Sequence, residues 1–185
     1  MSHEYIEVPF PHMVLNSHDV PAPDYEMFRS WKVPASETVE SMVAKIRKTA
    51  LEVEGGKLKT LVINSHGSPG VIHIGQGLSI NDLHQFELLK KDMKTTLVEE
   101  IWIVACKVAG KDEGVSGGLS GDAFCKSLAT TALSDVTAGT KNQYGSGPIS
   151  IPRWVIDKWT GRIKHYFSNG VIFERGDFEF TPNTE

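Results

Sequence analysis

The sequence predicts a three-layered α/β domain built on a mostly parallel central sheet, with an antiparallel extension at its C-terminal end. Three observations carry this. Two short apolar, β-branched runs, Leu58–Asn64 and Ile101–Ala105, have the character of strands buried on both faces. Helical periodicity alternates with such runs between residues 36 and 140, which argues for right-handed βαβ units. The tail instead carries extended segments joined by turn residues, among them Asn169-Gly170, a strong hairpin signal.

Taken in order, residues 1–35 hold five of the nine prolines and little periodicity, so they read as an irregular leader with one strand at Met13–Asn16. Ser36 is placed to cap a helix whose apolar residues Val39, Met42, Val43, Ile46 and Ala50 share one face, and Gly55-Gly56 ends it. Leu58–Asn64 is a strand, and the loop His66-Gly67-Ser68-Pro69-Gly70 follows it. Val71–Ile74 is a short extended segment, and a helix is expected from Asn81-Asp82 to about Lys94. After the Ile101–Ala105 strand, the glycine-rich stretch Lys107–Ser120 is expected to be a mobile loop, open to proteolytic nicking. Ser120 caps a helix to about Thr131, and Asp135–Gly139 is a third short strand. Ile149–Asp157, Arg162–Phe167 and Val171–Glu174 are expected to form an antiparallel meander. The chain thus divides into a leader (1–35), an α/β core (36–140) and a meander (141–185) within one domain.

Composition narrows the function. A net charge of −4 over 185 residues gives no support for nucleic-acid binding or for docking on an anionic membrane. No apolar run approaches the roughly 20 residues of a membrane span, and Met1–Glu7 lacks the basic and apolar regions of a secretory signal. A cytoplasmic location, or delivery without a secretory signal, is expected. The two cysteines, Cys106 and Cys125, have no metal-ligand spacing and read as free thiols. No His, Asp or Glu spacing suggests a catalytic metal, and no cofactor is expected.

The chemistry sits at two strand ends. In open α/β sheets, ligands bind just past the carboxyl ends of the strands. His66 and Cys106 follow two such ends, and an imidazole beside a thiol is the basis of cysteine nucleophilic catalysis. A free thiol is only a few per cent thiolate at neutral pH, and a neighbouring imidazole raises that fraction and can later protonate a leaving amine. Gly67 admits close approach of a substrate, and its N–H and that of Cys106 are placed to receive an oxyanion. Cys125, within Ala123-Phe-Cys-Lys-Ser-Leu128, reads as a small buried helix residue; His73, His84 and His165 read as structural.

A strand ending in Ser65-His66-Gly67, followed 40 residues later by one ending in Ala105-Cys106, resembles the caspase-like cysteine peptidases over roughly residues 58–140. The match is closest to an uncharacterised domain of large bacterial surface proteins. There Ser-His-Gly-Ser-Pro-Gly is followed by a Cys-x-Val-Ala motif, here Cys106-Lys107-Val108-Ala109, and the helix 121–129 fits the same pattern. The resemblance implies a caspase-haemoglobinase-like fold, Cys106 as nucleophile, His66 as its acid/base, and a peptide or protein substrate cleaved through an acyl-enzyme. It also implies that segments 107–120 and 140–154 shape the pocket for the residue before the scissile bond. Asp112 and Glu113 would favour a basic residue there, Lys107, Lys111 and Arg153 an acidic one, and Trp154 a pocket wall. The alternative function is a non-catalytic protein-interaction module on the same scaffold.

Overall fold

A computed structural model describes residues 4–20, 24–111, 120–143 and 151–175. Its strands are β1 (Tyr5–Glu7), β2 (His12–Ser17), β3 (Arg29–Val33), β4 (Leu58–Asn64), β5 (His66–Ser68), β6 (Val71–His73), β7 (Val98–Val104), β8 (Asp135–Gly139), β9 (Val155–Asp157), β10 (Ile163–Tyr166) and β11 (Ile172–Arg175). Two α-helices, α1 (Val39–Glu52) and α2 (Gly121–Ala132), and a 3-10 helix (Ile80–Leu89) complete the described elements. The chain is α/β, with a seven-stranded sheet ordered β11-β10-β8-β7-β4-β2-β3. The pairs from β3 to β8 are parallel, and β10 and β11 join antiparallel.

Topology dictates which face each connection covers. The steps β3 to β4, β4 to β7 and β7 to β8 all advance across the sheet in one direction. Right-handed crossovers taken in one direction fall on one face, so α1, the 3-10 helix and α2 share a side, and the 3-10 helix packs on both α-helices. The β2-to-β3 step runs the other way, and its connection carries Tyr25 and Met27 onto the opposite face.

Strand alternation feeds both sides. Met13, Leu15, Leu61, Ile63, Ile101 and Ile103 point into the helical layer. Val14, Val62, Trp102 and Val104 point into a second core with Tyr25, Met27, Ile156 and Trp159. Removing such a side chain from water is worth about 1.5–3 kcal/mol each, which is why these strands read as unbroken apolar runs.

Several expectations are corrected here. The leader contributes β1, β2 and β3, and β2 is an interior strand with all six residues buried. Its prolines mark strand ends instead of excluding strands: Pro11 immediately precedes β2 and its carbonyl accepts from the Lys59 and Thr60 N–H groups. The helix cap is Thr38, whose hydroxyl accepts from Ser41 N–H at 3.1 Å, not Ser36. The helix expected from residue 81 to 94 is a 3-10 helix that stops at Leu89. The C-terminal segments are not one meander: β10 and β11 form a hairpin, but β9 pairs with β1 in a separate ribbon. The third layer is therefore this ribbon with the 24–28 connection, not helices. The strands Leu58–Asn64 and Asp135–Gly139 and the Ser120 cap stand where the sequence put them.

Candidate functional site

Register brings the two strand-end residues to one edge. Across β4 and β7, Asn64 pairs with Val104, and Ser65 N–H donates to the Val104 carbonyl at 3.2 Å. His66 and Cys106 each stand two residues beyond that pair, at the carboxyl edge of adjacent parallel strands. Gly67 then lies against the second strand end. A Cβ built on it would come within 2.7 Å of Val108 Cγ2, 2.9 Å of the Cys106 carbonyl oxygen and 3.0 Å of Ala105 Cβ. Glycine is needed for this close approach.

The hairpin of β5 and β6 aims the Gly67 amide. Ile72 exchanges both of its backbone hydrogen bonds with Leu78, outside the hairpin. Its partner across the hairpin is Gly67. In an antiparallel pair, a residue's N–H and C=O point the same way, and facing residues do so alike. Gly67 N–H is therefore directed away from β6.

Neither candidate side chain hydrogen-bonds to the other. His66 is exposed, and its Nε2 lies 3.2 Å from the Asp19 carbonyl oxygen. A carbonyl only accepts, so Nε2 carries the hydrogen in the neutral ring and Nδ1 keeps a lone pair. The half-buried Cys106 Sγ accepts from Gln143 N–H at 3.3 Å and lies 3.6 Å from the Gln143 carbonyl oxygen.

Both contacts rest on residues that sequence reasoning missed. Asp19 is held by Ser17, whose hydroxyl donates to its carboxylate at 2.6 Å; this hydrogen bond is the main reason the carboxyl stays below its usual range. Beneath it, Asn64 Nδ2 donates to Asn16 Oδ1 at 2.8 Å. Asn16 in turn exchanges hydrogen bonds with the Tyr25 backbone, closing a buried network at the ends of β2 and β4. Gln143 is clamped by its own side chain: Oε1 accepts from Thr160 N–H at 2.8 Å, and Nε2 donates to the Lys141 and Thr160 carbonyls. An Asn closing an apolar strand run, as Asn64 and Asn16 do, is the one signal that could have pointed to the first of these networks.

A cleft of about 970 Å³ opens beside Gly67. Its lining includes Ser68, Lys107, Lys111, Lys164 and Glu174. Lys107 follows Cys106 directly in a left-handed conformation, φ 53°, unusual for a residue with a Cβ. Two hydrogen bonds hold it there: Lys107 N–H to the Lys141 carbonyl at 3.0 Å, and Gly110 N–H to the Lys107 carbonyl at 2.7 Å. Val108 and Ala109 are buried, so this part of the expected mobile loop is packed core; residues 112–119, with Asp112 and Glu113, lie outside the described residues.

Arg153 and Trp154 are not at this cleft. Trp154 packs on His12, with ring centroids 5.3 Å apart, and Arg153 pairs with Glu26. His12 aligns with Thr60, at the amino ends of β2 and β4, so this cluster sits about 20 Å from His66 along the strands. The reason is that β9 pairs with β1 under the sheet and draws residues 153–154 to the opposite edge. Cys125 is fully buried in α2, where burial pushes its thiol up, as its helical pattern suggested. His73 and His84 are exposed, and His165 is bonded to Thr137.

Among the described residues, no group of three or more His, Cys, Asp or Glu is placed to hold a metal ion, and no helix is long and apolar enough to cross a membrane. Neither a protein-family model nor a curated protein matches this chain.

Proposed function

We propose that the protein is a cysteine endopeptidase of caspase-like fold, with Cys106 as nucleophile and His66 as acid/base. The observation that carries this reading is the shared edge: His66 and Cys106 stand two residues past the paired Asn64 and Val104 of adjacent parallel strands. The mostly parallel seven-stranded sheet is compatible with an α/β scaffold, and the absence of a described helix on its second face departs from the three-layered expectation.

The chemistry follows from the local geometry. Nδ1 of His66, left basic by the Asp19 carbonyl, takes the thiol proton. Sulfur bonds to the substrate carbonyl carbon, and the oxyanion is received by the N–H groups of Gly67 and Cys106. Collapse breaks the C–N bond, and His66 returns its proton to the departing amine. Water then loses a proton to Nδ1 and attacks the thioester. The C–S bond breaks, the acid product leaves, and the proton returns to sulfur.

One observation favours a second reading, a non-catalytic interaction module. Cys106 and His66 are hydrogen-bonded to Gln143 and Asp19 instead of each other. Alkylation separates the two. Cys125 is shielded, so the reference is the same chain unfolded in urea. In the peptidase, folded Cys106 reacts with iodoacetamide at pH 7 at least tenfold faster than the unfolded thiols, and His66→Ala removes the advantage. Reaction no faster than the unfolded thiols refutes the peptidase and supports the module.

A further inference from the structure

We propose that the outer edge of β3 is a docking site for an extended, acidic peptide segment of a partner protein, which adds to the sheet as one more strand. The proposal is independent of the chemistry at Cys106.

β3 (Arg29–Val33) closes the seven-stranded sheet at the end away from β11, and β2 is its neighbour. Among the described residues, no other strand pairs with it and no loop hydrogen-bonds to its backbone. An edge strand turns its outer N–H and C=O groups away from the sheet, where they can pair with another chain. This edge is open to solvent: Arg29, Ser30 and Lys32 are exposed, Trp31 is half-buried, and Val33 alone is buried.

The side chains around the edge decide which chain it accepts. Alternation puts Arg29, Trp31 and Val33 on the helical face, since Val33 belongs to that core and Trp31 packs against it. Lys45 reaches over from α1, its Nζ 4.0 Å from the centre of the Trp31 ring. The Arg29 guanidinium lies 4.3 Å from the centre of the Phe28 ring. Lys32, on the other face, is paired with Asp24 at 2.6 Å, whereas neither Arg29 nor Lys45 forms an ion pair among the described residues. Glu26 is held by Arg153 at 3.0 Å and Glu52 by Lys48 at 3.8 Å. A strand laid along β3 turns every second side chain to the face of Arg29 and Lys45. Carboxylates at those positions gain opposite-charge pairs, whereas ammonium groups are repelled. The same cations exclude a second β3 as the occupant, because it would bring Arg29, Lys32 and Lys45 to the edge again.

The start of the strand adds an apolar contact. Phe28 directly precedes β3, and Phe28, Phe10 and Trp154 are exposed by 37, 55 and 41 %. Phe10 packs on both of the others, with ring centroids 5.1 and 6.0 Å apart. Antiparallel addition, the more stable ladder, carries the carboxyl-terminal end of the peptide to these rings. The segment recognised is therefore acidic at alternate positions and apolar at its carboxyl-terminal end.

The test uses the whole Cys106→Ala chain, so that no peptide is cleaved. A fluorescein-labelled peptide, Glu-Val-Glu-Val-Glu-Phe, is titrated by anisotropy at low ionic strength. It is expected to bind about tenfold more tightly than the version with glutamine for glutamate, and the lysine version is expected to be weakest. Alternate N–H groups of a strand face the same neighbour, so N-methylation at the glutamates and at the valines must differ. One version keeps its affinity and the other loses about tenfold. Combining Arg29→Gln with Lys45→Gln brings the glutamate preference below about threefold, and Lys107→Gln with Lys111→Gln leaves it unchanged. Arg29 and Lys45 are exposed, and circular dichroism checks that their double variant folds. No binding of the glutamate peptide, equal affinity for the glutamine version, or equal effects of the two N-methylations each overturn the proposal. A preference that survives the Arg29 and Lys45 substitutions, or that vanishes with those at Lys107 and Lys111, places the peptide elsewhere and overturns it too.

Discussion

At the scale of single residues, the site depends on an absent side chain as much as on those present. A Cβ at Gly67 would meet Val108 Cγ2 at 2.7 Å and the Cys106 carbonyl oxygen at 2.9 Å, closer than real Cβ atoms come, with Ala105 Cβ tight at 3.0 Å. Gly67→Ala must move either the β5 hairpin or the β7 end. The expected cost is about 1–3 kcal/mol of stability, as for other overpacked sites. On the proposed peptidase reading, activity should fall about 10²–10³-fold as the amide leaves the proposed oxyanion position. Urea unfolding and a peptide-cleavage assay read the two effects, and full activity in this variant would remove Gly67 from the site. Its neighbour behaves oppositely. Ser65 Oγ is buried and has no hydrogen-bond partner among the described residues. Removing an unsatisfied polar group is nearly free. Ser65→Ala should therefore leave the urea midpoint unchanged or raise it, and a loss above about 1 kcal/mol would show a hydrogen bond that the structure lacks.

At the scale of elements, the strand ends were legible and their supports were not. Leu58–Asn64 and Ile101–Ala105 announced themselves because strands buried on both faces must be apolar throughout. His66, Gly67 and Cys106 followed, since each directly continues such a run. Asn16, Asp19 and Gln143 did not, because their roles depend on chain segments far apart in sequence. Asn16 meets Asn64 only through β2 pairing with β4, and Gln143 meets Cys106 only through the turn after β8. Both supports can be probed. Asn16→Ala strands the Asn64 amide and the Tyr25 backbone, so a loss of about 1–3 kcal/mol is expected. Gln143→Ala frees Thr160 and loosens the amide on Cys106 Sγ. Both backbone contacts to Sγ come from this residue, so the rate of Cys106 alkylation should change in Gln143→Ala, and a rate identical to wild type would make Gln143 a bystander.

At the scale of the whole molecule, the two edges of the sheet have divided their tasks. The carboxyl edge holds His66, Cys106 and the lysine-lined cleft. The amino edge is closed by an aromatic cap, with Phe10, Phe28 and Trp154 around His12. A leader judged by its prolines concealed this, because proline content says where hydrogen bonds are missing, not where the chain packs. His12 is fully buried, and its Nδ1 accepts from Phe28 N–H at 3.0 Å. Burial holds its imidazole below the ordinary value of 6.5. The unfolded chain then binds more protons than the folded one between that depressed value and pH 6.5. The His12 contribution is therefore intact above pH 6.5 and is lost as the pH falls through this window, because a second proton also destroys the acceptor for Phe28. Carboxyls held low by their partners, such as Asp19 and Asp122, act only at more acidic pH. Urea midpoints measured between pH 7.5 and 5.5 should fall with acidification in the wild type. His12→Gln keeps a side-chain acceptor that does not titrate in this range, so its midpoint should be lower at pH 7.5 but nearly flat. A wild-type midpoint that stays constant, or a slope that persists in the variant, would place the acid sensitivity elsewhere in the molecule.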